Sequence, residues 1–126
     1  MDPVAQMVAF FRPYLPWHRS RLVCLCASIL ALIQMRTVNL AQLAVALAGK
    51  ASTDSNYKRL QRFMRDPLDE DAFGLQMATL LSNPKPWVLT LDRTNWEIGE
   101  KVVNIVFLAL AHEGAAIPLL WTMLDK

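Results

Sequence analysis

Asp92 is the acidic residue whose position most suggests chemistry. It follows the apolar run Trp87–Leu91, and on a strand its carboxylate lies on the same face as Val88 and Thr90. We expect this strand to end at Asp92. A carboxylate on an apolar strand is costly to bury unless a cation or a hydrogen-bond donor compensates it. Such a group could hold a divalent metal ion that activates a water or a hydroxyl nucleophile.

The alternative for Asp92 is an ordinary structural role. The carboxylate can pair with Arg93, with Arg19 or with another base, or it can end the strand in water. Without neighbouring motifs this simpler interpretation is preferred, because isolated acids at strand ends are common.

A basic run is the second feature with functional potential. Residues 50–65 hold a single acid, Asp54, against five cations: Lys50, Lys58, Arg59, Arg62 and Arg65. Acids follow at once as a block, at Asp66, Asp69, Glu70 and Asp71. The net charge of the chain is only +2, so the distribution of charge is more informative than its sum.

Helical spacing separates two sides of this basic segment. Tyr57, Leu60 and Met64, with Phe63 beside them, are predicted to face the core. The cations Lys58, Arg62 and Arg65 repeat on the other side, joined by Arg59.

A short helix, a turn containing Gly49 and this basic helix resemble a helix-turn-helix arrangement. In such a unit cations neutralise phosphates, and Asn56 and Arg59 lie early enough to reach base edges. The sequence thus predicts a DNA contact at Asn56, Lys58, Arg59, Arg62 and Arg65. The alternative is a solvated helix face, which is how most short basic runs behave.

Other reactive residue types form no recognisable site. Cys24 and Cys26 point to different faces of a helix, so they are expected to be reduced core thiols. His18 and His112 lack partners at metal-ligand spacing and are expected at caps or on the surface. The absence of a glycine-rich phosphate loop argues against nucleotide hydrolysis.

Five helices are predicted in residues 1–83. Proline, glycine and capping residues delimit them. They run from Pro3 to Phe11, from about Arg19 to Met35, from an Asn39 cap to Gly49, from a cap at Ser52, Thr53 or Asp54 to just before Asp66, and from about Asp69 to Leu81.

The stretch from Asn83 to Pro86 is a strong break, after which the sequence becomes β-prone. Three strands, at 87–92, 102–111 and 117–124, are expected to form an antiparallel meander. Gly99-Glu100 and Glu113-Gly114 supply the turns between them.

Composition leaves two options for the surface. Apolar residues make up 54% of the chain and charged residues only 19%. Either the fold is tightly buried or it leaves apolar faces uncovered. The apolar stretch 22–33 is about half the length of a membrane span. With no basic leader at the N-terminus, we expect a cytoplasmic protein that does not engage a membrane.

The run from Leu91 to Gly99, followed by Val103–Val106 and Ala116–Trp121, resembles bacterial insertion-sequence DDE transposases. Their RNase H-like core carries an Asp-x-Thr-x-Trp motif on its first strand. The segment Ser55–Met64 is similar to the basic helical segment before that core. The resemblance extends from about residue 27 to the end, and residues 92–99 are its most specific part.

The resemblance implies roles for particular residues. Asp92 matches the first catalytic, metal-binding carboxylate, while Thr94 and Trp96 match motif positions that support the strand. The family cuts and rejoins DNA at transposon ends with Mg²⁺ or Mn²⁺, as a dimer or larger complex. The fold class implied is α+β: a helical, helix-turn-helix-like DNA-binding region (1–83), then the first three antiparallel strands of an incomplete RNase H-like domain (84–126).

The second Asp and the Glu that the family requires have no counterpart in these residues. Glu97, Glu100, Glu113 and Asp125 are available acids, but none has the family's sequence context. We therefore expect a truncated transposase that binds DNA at transposon ends, holds no stable Mg²⁺ or Mn²⁺ and cleaves no DNA alone. It could associate with itself or with a full-length transposase.

Two further hypotheses compete with this one. One is a stand-alone DNA-binding or inhibitory module that competes with an active transposase. The other is a helical interaction protein with no role on DNA.

Overall fold

The computed structural model describes residues 2–47, 49–67, 69–81 and 86–124. Five helices are followed by three strands, which confirms the α+β class and the element order. The helices are α1 (Pro3–Phe11), α2 (Arg19–Met35), α3 (Leu40–Ala46), α4 (Thr53–Arg65) and α5 (Glu70–Leu80), and the strands are β1 (Val88–Ile98), β2 (Lys101–His112) and β3 (Ala115–Leu124). Of the predicted break, residues 83–85 lie outside the described part, as does Asp125.

Short polar residues start the helices where the sequence predicts. The Asp2 side chain accepts a hydrogen bond from the backbone N–H of Val4, and Pro3 occupies the first position of α1. Asn39 and Ser52 cap α3 and α4 in the same way. Each cap satisfies backbone N–H groups that have no partner within the helix. These side chains therefore fix the helix starts locally.

The chain divides into two compact units, Met1–Pro67 and Leu68–Lys126. The first, which we call the helical unit, holds α1–α4. Its core is built on α2, because that helix is apolar on most sides, and it includes Cys24, Cys26, Leu43 and Leu60. Both cysteines are free and buried, as expected.

The second, which we call the sheet unit, holds α5 and the three strands. The sequence grouped α5 with the other helices and set the boundary after residue 83. In the structure α5 packs on β3, with Ala78 contributing to a small core with Leu110 and Leu119. The apolar surface of α5 therefore belongs with the sheet, and the boundary between the two units precedes α5, whereas the compositional break follows it.

The sheet is an antiparallel meander in the order β1-β2-β3, as predicted. Gly99 has a positive φ of 63° at the first position of the β1–β2 turn. Glu113 and Gly114 both have positive φ in the β2–β3 turn. Two-residue hairpin turns need such conformations to match the twist of the strands. The glycines therefore set the register, with Ile98 opposite Lys101 and His112 opposite Ala115.

β1 is longer than the sequence suggested. Asp92 was expected to end the strand, but pairing with β2 continues to Ile98 and places Asp92 opposite Phe107. Asn95, Trp96 and Glu97 all keep partners on β2. Pairing with β2 stabilises an extended backbone even where the polar side chains predict a loop.

Much of the apolar surface of the sheet unit is uncovered. Leu91 and Met123 are 74% and 70% exposed, and Val88, Trp96 and Ile98 are also exposed. Of the two options that the low fraction of charged residues left open, the described strands therefore show the second, apolar faces that are exposed.

No single helix in the described residues is long and apolar enough to cross a membrane. Taken together, α2 and α3 have sufficient length and apolar composition, but the pair is bent by 102°.

We predict that Gly74→Ala destabilises the sheet unit. Alanine normally stabilises a helix interior relative to glycine by about 1 kcal/mol. Here the added Cβ would overlap the Leu119 carbonyl oxygen and lie 3.0 Å from Leu120 Cδ2. We therefore expect a net loss of about 1–3 kcal/mol, typical of overpacking, in urea unfolding followed by tryptophan fluorescence. Leu75→Ala, on the exposed side of α5, is the control. A more stable Gly74→Ala variant would contradict this packing.

Candidate nucleic-acid interface

The orientation of α4 is set by two buried side chains that lie one turn apart on the same face of the helix. Leu60 is fully buried in the helical core. Asn56, one turn earlier, is 3% exposed and donates from Nδ2 to the Ala44 carbonyl oxygen at 3.1 Å. Ala44 lies in the last turn of α3, where carbonyls lack intrahelical partners. Asn56 therefore satisfies the C-terminal end of α3 and ties α4 to it.

The predicted core stripe of α4 is correct only in part. Leu60 and the half-buried Phe63 face inward, but Met64 is 57% exposed and Tyr57 is also exposed. The inward face is centred on Asn56 and Leu60 instead. An apolar pattern alone missed this, because the polar Asn56 occupies a core position.

The cations of α4 lie opposite this inward face. Lys58, Arg62 and Arg65 are exposed at positions i, i+4 and i+7, so they form one stripe along the helix. We call these three residues the outer stripe. Asp54 lies in the first turn and Arg62 and Arg65 in the last, an arrangement that the helix dipole favours. The stripe can follow a polyanionic backbone without disturbing the core.

Arg59 differs from the other cations because it is half-buried and turned toward α2. Together with Arg62 it lines a recess that also includes Ser20 and Arg21 of α2. The sequence did not point to Arg21, since it lies outside the basic run and on a different helix. Only the packing of α2 on α4 brings these charges together.

The placement of Asn56 bears directly on its predicted role in base recognition. Its amide nitrogen is used inside the helical unit, and its Oδ1 is buried without a hydrogen-bond partner among the described residues. A side chain enclosed in this way does not extend toward a groove of DNA. We therefore assign Asn56 to the α3–α4 junction and leave it out of the proposed interface.

Asp92 lies on the surface of the sheet. Its carboxylate is exposed, and Oδ1 accepts a hydrogen bond from the backbone N–H of Arg93 at 2.8 Å. The one ion pair among the described residues joins Arg21 and Asp66, so Arg93, its neighbour on β1, does not neutralise Asp92. An ion pair with Arg93 is therefore not what the geometry shows, whereas the exposed carboxylate fits the other structural alternative, an acid solvated by water.

A groove of about 410 Å³ runs beside Asp92. It is lined by residues that share its face of the sheet or border it, among them Thr90, Phe107, Ala109 and Pro118. Thr94 and Trp96 follow Asp92 on the same face, opposite Ile105 and Val103. Trp96 is 57% exposed. The motif residues thus form a continuous row on one side of β1.

The acids do not form a metal centre within the described residues. No group of three or more His, Cys, Asp or Glu side chains there is close enough to hold a metal ion. Asp92 belongs to no such group, and one carboxylate is insufficient for a two-metal site. His18 lies at a helix cap, as the sequence predicts. The backbone N–H of Ser20 donates a hydrogen bond to its Nδ1 at the start of α2.

No protein-family model matches the chain, and searches of curated proteins and of solved structures found no match either. The resemblance to insertion-sequence transposases therefore stays a prediction from the quoted motifs.

We predict that Asn56→Ala lowers the stability of the helical unit without weakening DNA binding by the folded protein. The variant leaves the buried Ala44 carbonyl without a donor, which costs about 1–3 kcal/mol. Gln42→Ala removes an exposed amide from α3 and should cost far less. Unfolding curves and duplex titrations, corrected for the folded fraction, measure both effects. A binding defect in fully folded Asn56→Ala would restore its role in recognition.

Proposed function

We propose that the chain binds double-stranded DNA through the outer stripe of α4. The observation that carries the proposal is the position of Lys58, Arg62 and Arg65 on the solvent side of a capped helix whose opposite face is locked into the core. Cations held in a row at helical spacing can neutralise successive phosphates and release their counterions.

Electrostatics within the helical unit supports this assignment. Among the described residues, none of the outer-stripe cations forms an ion pair within 4.0 Å. They are therefore available to an external anion without the cost of breaking an internal contact. The helix also needs no reorganisation, because its start is capped by Ser52 and its inner face is already packed.

We further propose that the sheet unit corresponds to the first three strands of an RNase H-like domain of an insertion-sequence transposase. Support comes from the antiparallel order β1-β2-β3 and from the exposed row Asp92, Thr94 and Trp96 on the first strand. In that assignment Asp92 is the first of the metal-binding carboxylates. DNA at transposon ends is the substrate that the resemblance implies.

These residues by themselves support DNA binding rather than strand cleavage. Holding two Mg²⁺ or Mn²⁺ ions requires further carboxylates beside Asp92. No group of three or more acids, histidines or cysteines that could hold a metal ion occurs among the described residues. The function proposed for this chain alone is therefore recognition of DNA, with the chemistry dependent on residues elsewhere.

The DNA proposal is tested by removing charge from the outer stripe. We expect Lys58→Gln with Arg65→Gln to weaken binding to a short duplex and to reduce the slope of log K against log [salt] by about 2, since each neutralised phosphate contributes about 0.9. The salt dependence can be measured by fluorescence anisotropy.

The matched control is Arg12→Gln with Arg36→Gln. It removes the same charge from exposed arginines at the C-terminal caps of α1 and α2. If both pairs alter the salt slope equally, binding follows net charge and the outer stripe is not the interface.

The transposase assignment is tested by the coding DNA. We expect the nucleotides downstream of codon 126 to encode, in some reading frame, a strand carrying an Asp and a helix carrying a Glu. These are the second and third carboxylates of the family. Sequencing that region from the source DNA decides the matter, and unrelated coding sequence in all frames would refute the assignment while leaving DNA binding intact.

A further inference from the structure

The recess between α2 and α4 has the composition of an anion site. Its volume is about 320 Å³, near the lower end of the range for small-ligand pockets, roughly 300–1,000 Å³. Three guanidinium-bearing residues, Arg21, Arg59 and Arg62, line it against one carboxylate, Asp66. Ser20 also borders it, but its hydroxyl is hydrogen-bonded to His18 Nδ1 at 2.8 Å. This open recess therefore carries an excess of positive charge.

Arg21 is held rigidly in this recess. Its guanidinium carbon lies 4.7 Å from the centre of the Trp17 ring and 5.5 Å from that of Phe63. Nη1 donates to Asp66 Oδ2 at 3.2 Å, and Nη2 donates to the Pro67 carbonyl oxygen at 3.3 Å. An arginine fixed by stacking and hydrogen bonds loses little side-chain entropy when it binds a further anion.

The protein does not fully satisfy Arg21. A guanidinium group offers five N–H donors. Nε is shielded from solvent and has no hydrogen-bond partner among the described residues. The side chain of Arg21 is 24% exposed, whereas that of Asp66 is 58% exposed. The carboxylate can therefore move into water while the guanidinium group remains in the recess.

The start of α2 adds to the positive potential. Ser20 and Arg21 belong to the first turn of this 17-residue helix, where the dipole places a partial positive charge. The backbone N–H groups of both residues are already used, that of Ser20 by His18 Nδ1 and that of Arg21 by the His18 carbonyl. The helix therefore contributes through its field, while the guanidinium groups supply the donors.

We propose that this recess binds a phosphate group, and that on DNA the group is one phosphate of the backbone. The inference rests on the proposed DNA-binding function and extends it to α2. Guanidinium groups match the planar pairs of phosphate oxygens better than ammonium groups do. Arg21 and Arg59 hold this phosphate from two helices, and Arg62 connects the recess to the outer stripe. A contact from two helices fixes the register of the protein on the backbone.

Asp66 acts in this arrangement as an internal competitor. Its carboxylate accepts a hydrogen bond from the Arg21 guanidinium group when no phosphate is present, and an incoming phosphate displaces the carboxylate toward solvent. Asp66 is the exposed partner of the ion pair, so moving its carboxylate into water costs little. Removing the carboxylate should therefore tighten phosphate binding.

The test titrates the full chain with inorganic phosphate and, separately, with a short duplex. NMR signals of the arginine Nε–H groups report on the recess. We expect phosphate to shift the Arg21 and Arg59 signals saturably, and Asp66→Asn to tighten both phosphate and duplex binding by roughly two- to fivefold, the effect of one surface ion pair. Asp54→Asn, at the other end of α4, changes the net charge equally and should have little effect.

Two variants separate this proposal from the function on which it rests. Lys58→Gln with Arg65→Gln should weaken the duplex alone and leave inorganic phosphate unaffected, whereas Arg59→Gln should weaken both. Phosphate binding without duplex binding would reject the DNA function and leave a site for free phosphate. Duplex binding without any phosphate-induced shift in the recess, or equal effects of Asp66→Asn and Asp54→Asn, would overturn the recess proposal alone.

Discussion

The packing of Asn56 and Leu60 into the helical core determines how the basic segment can be used. Because the Asn56 amide donates to the Ala44 carbonyl, rotating α4 about its axis would break this hydrogen bond and leave the buried carbonyl without a donor. That constraint turns Lys58, Arg62 and Arg65 to solvent, and it turns Arg59 toward α2. The outer stripe and the recess are therefore two consequences of one packing arrangement.

Local signals predicted most of the architecture. Asp2, Asn39, Ser52 and Asp69 are short polar residues that cap helices by their own chemistry, so their positions could be read directly. Gly99 and Gly114 marked the two hairpin turns for a similar reason, since both adopt positive φ. Features encoded within four or five residues are accessible without knowledge of the tertiary contacts.

Features that depend on distant contacts were harder to predict. Asn56 looked like a residue for reading bases because it is polar, yet its burial follows from an unsatisfied carbonyl on another helix. Arg21 attracted no attention in the sequence, although the structure surrounds it with Trp17, Phe63 and Asp66. The membership of α5 in the sheet unit likewise required contact with β3, where Gly74 permits close approach to Leu119. In each case the missing information was a partner far along the chain.

The role open to Asp92 likewise depends on which groups lie beside it rather than on its position along the strand. Its place within β1, instead of at the strand's end, means that residues on both sides are fixed by pairing with β2. The carboxylate is therefore held by a rigid backbone while its side chain stays exposed and without an ion pair among the described residues. A rigid, unpaired acid beside an open groove can supply one ligand of a metal site, but the remaining ligands must come from further carboxylates. Val88 and Trp96, which lie on the same face of β1 as Asp92, are exposed as well.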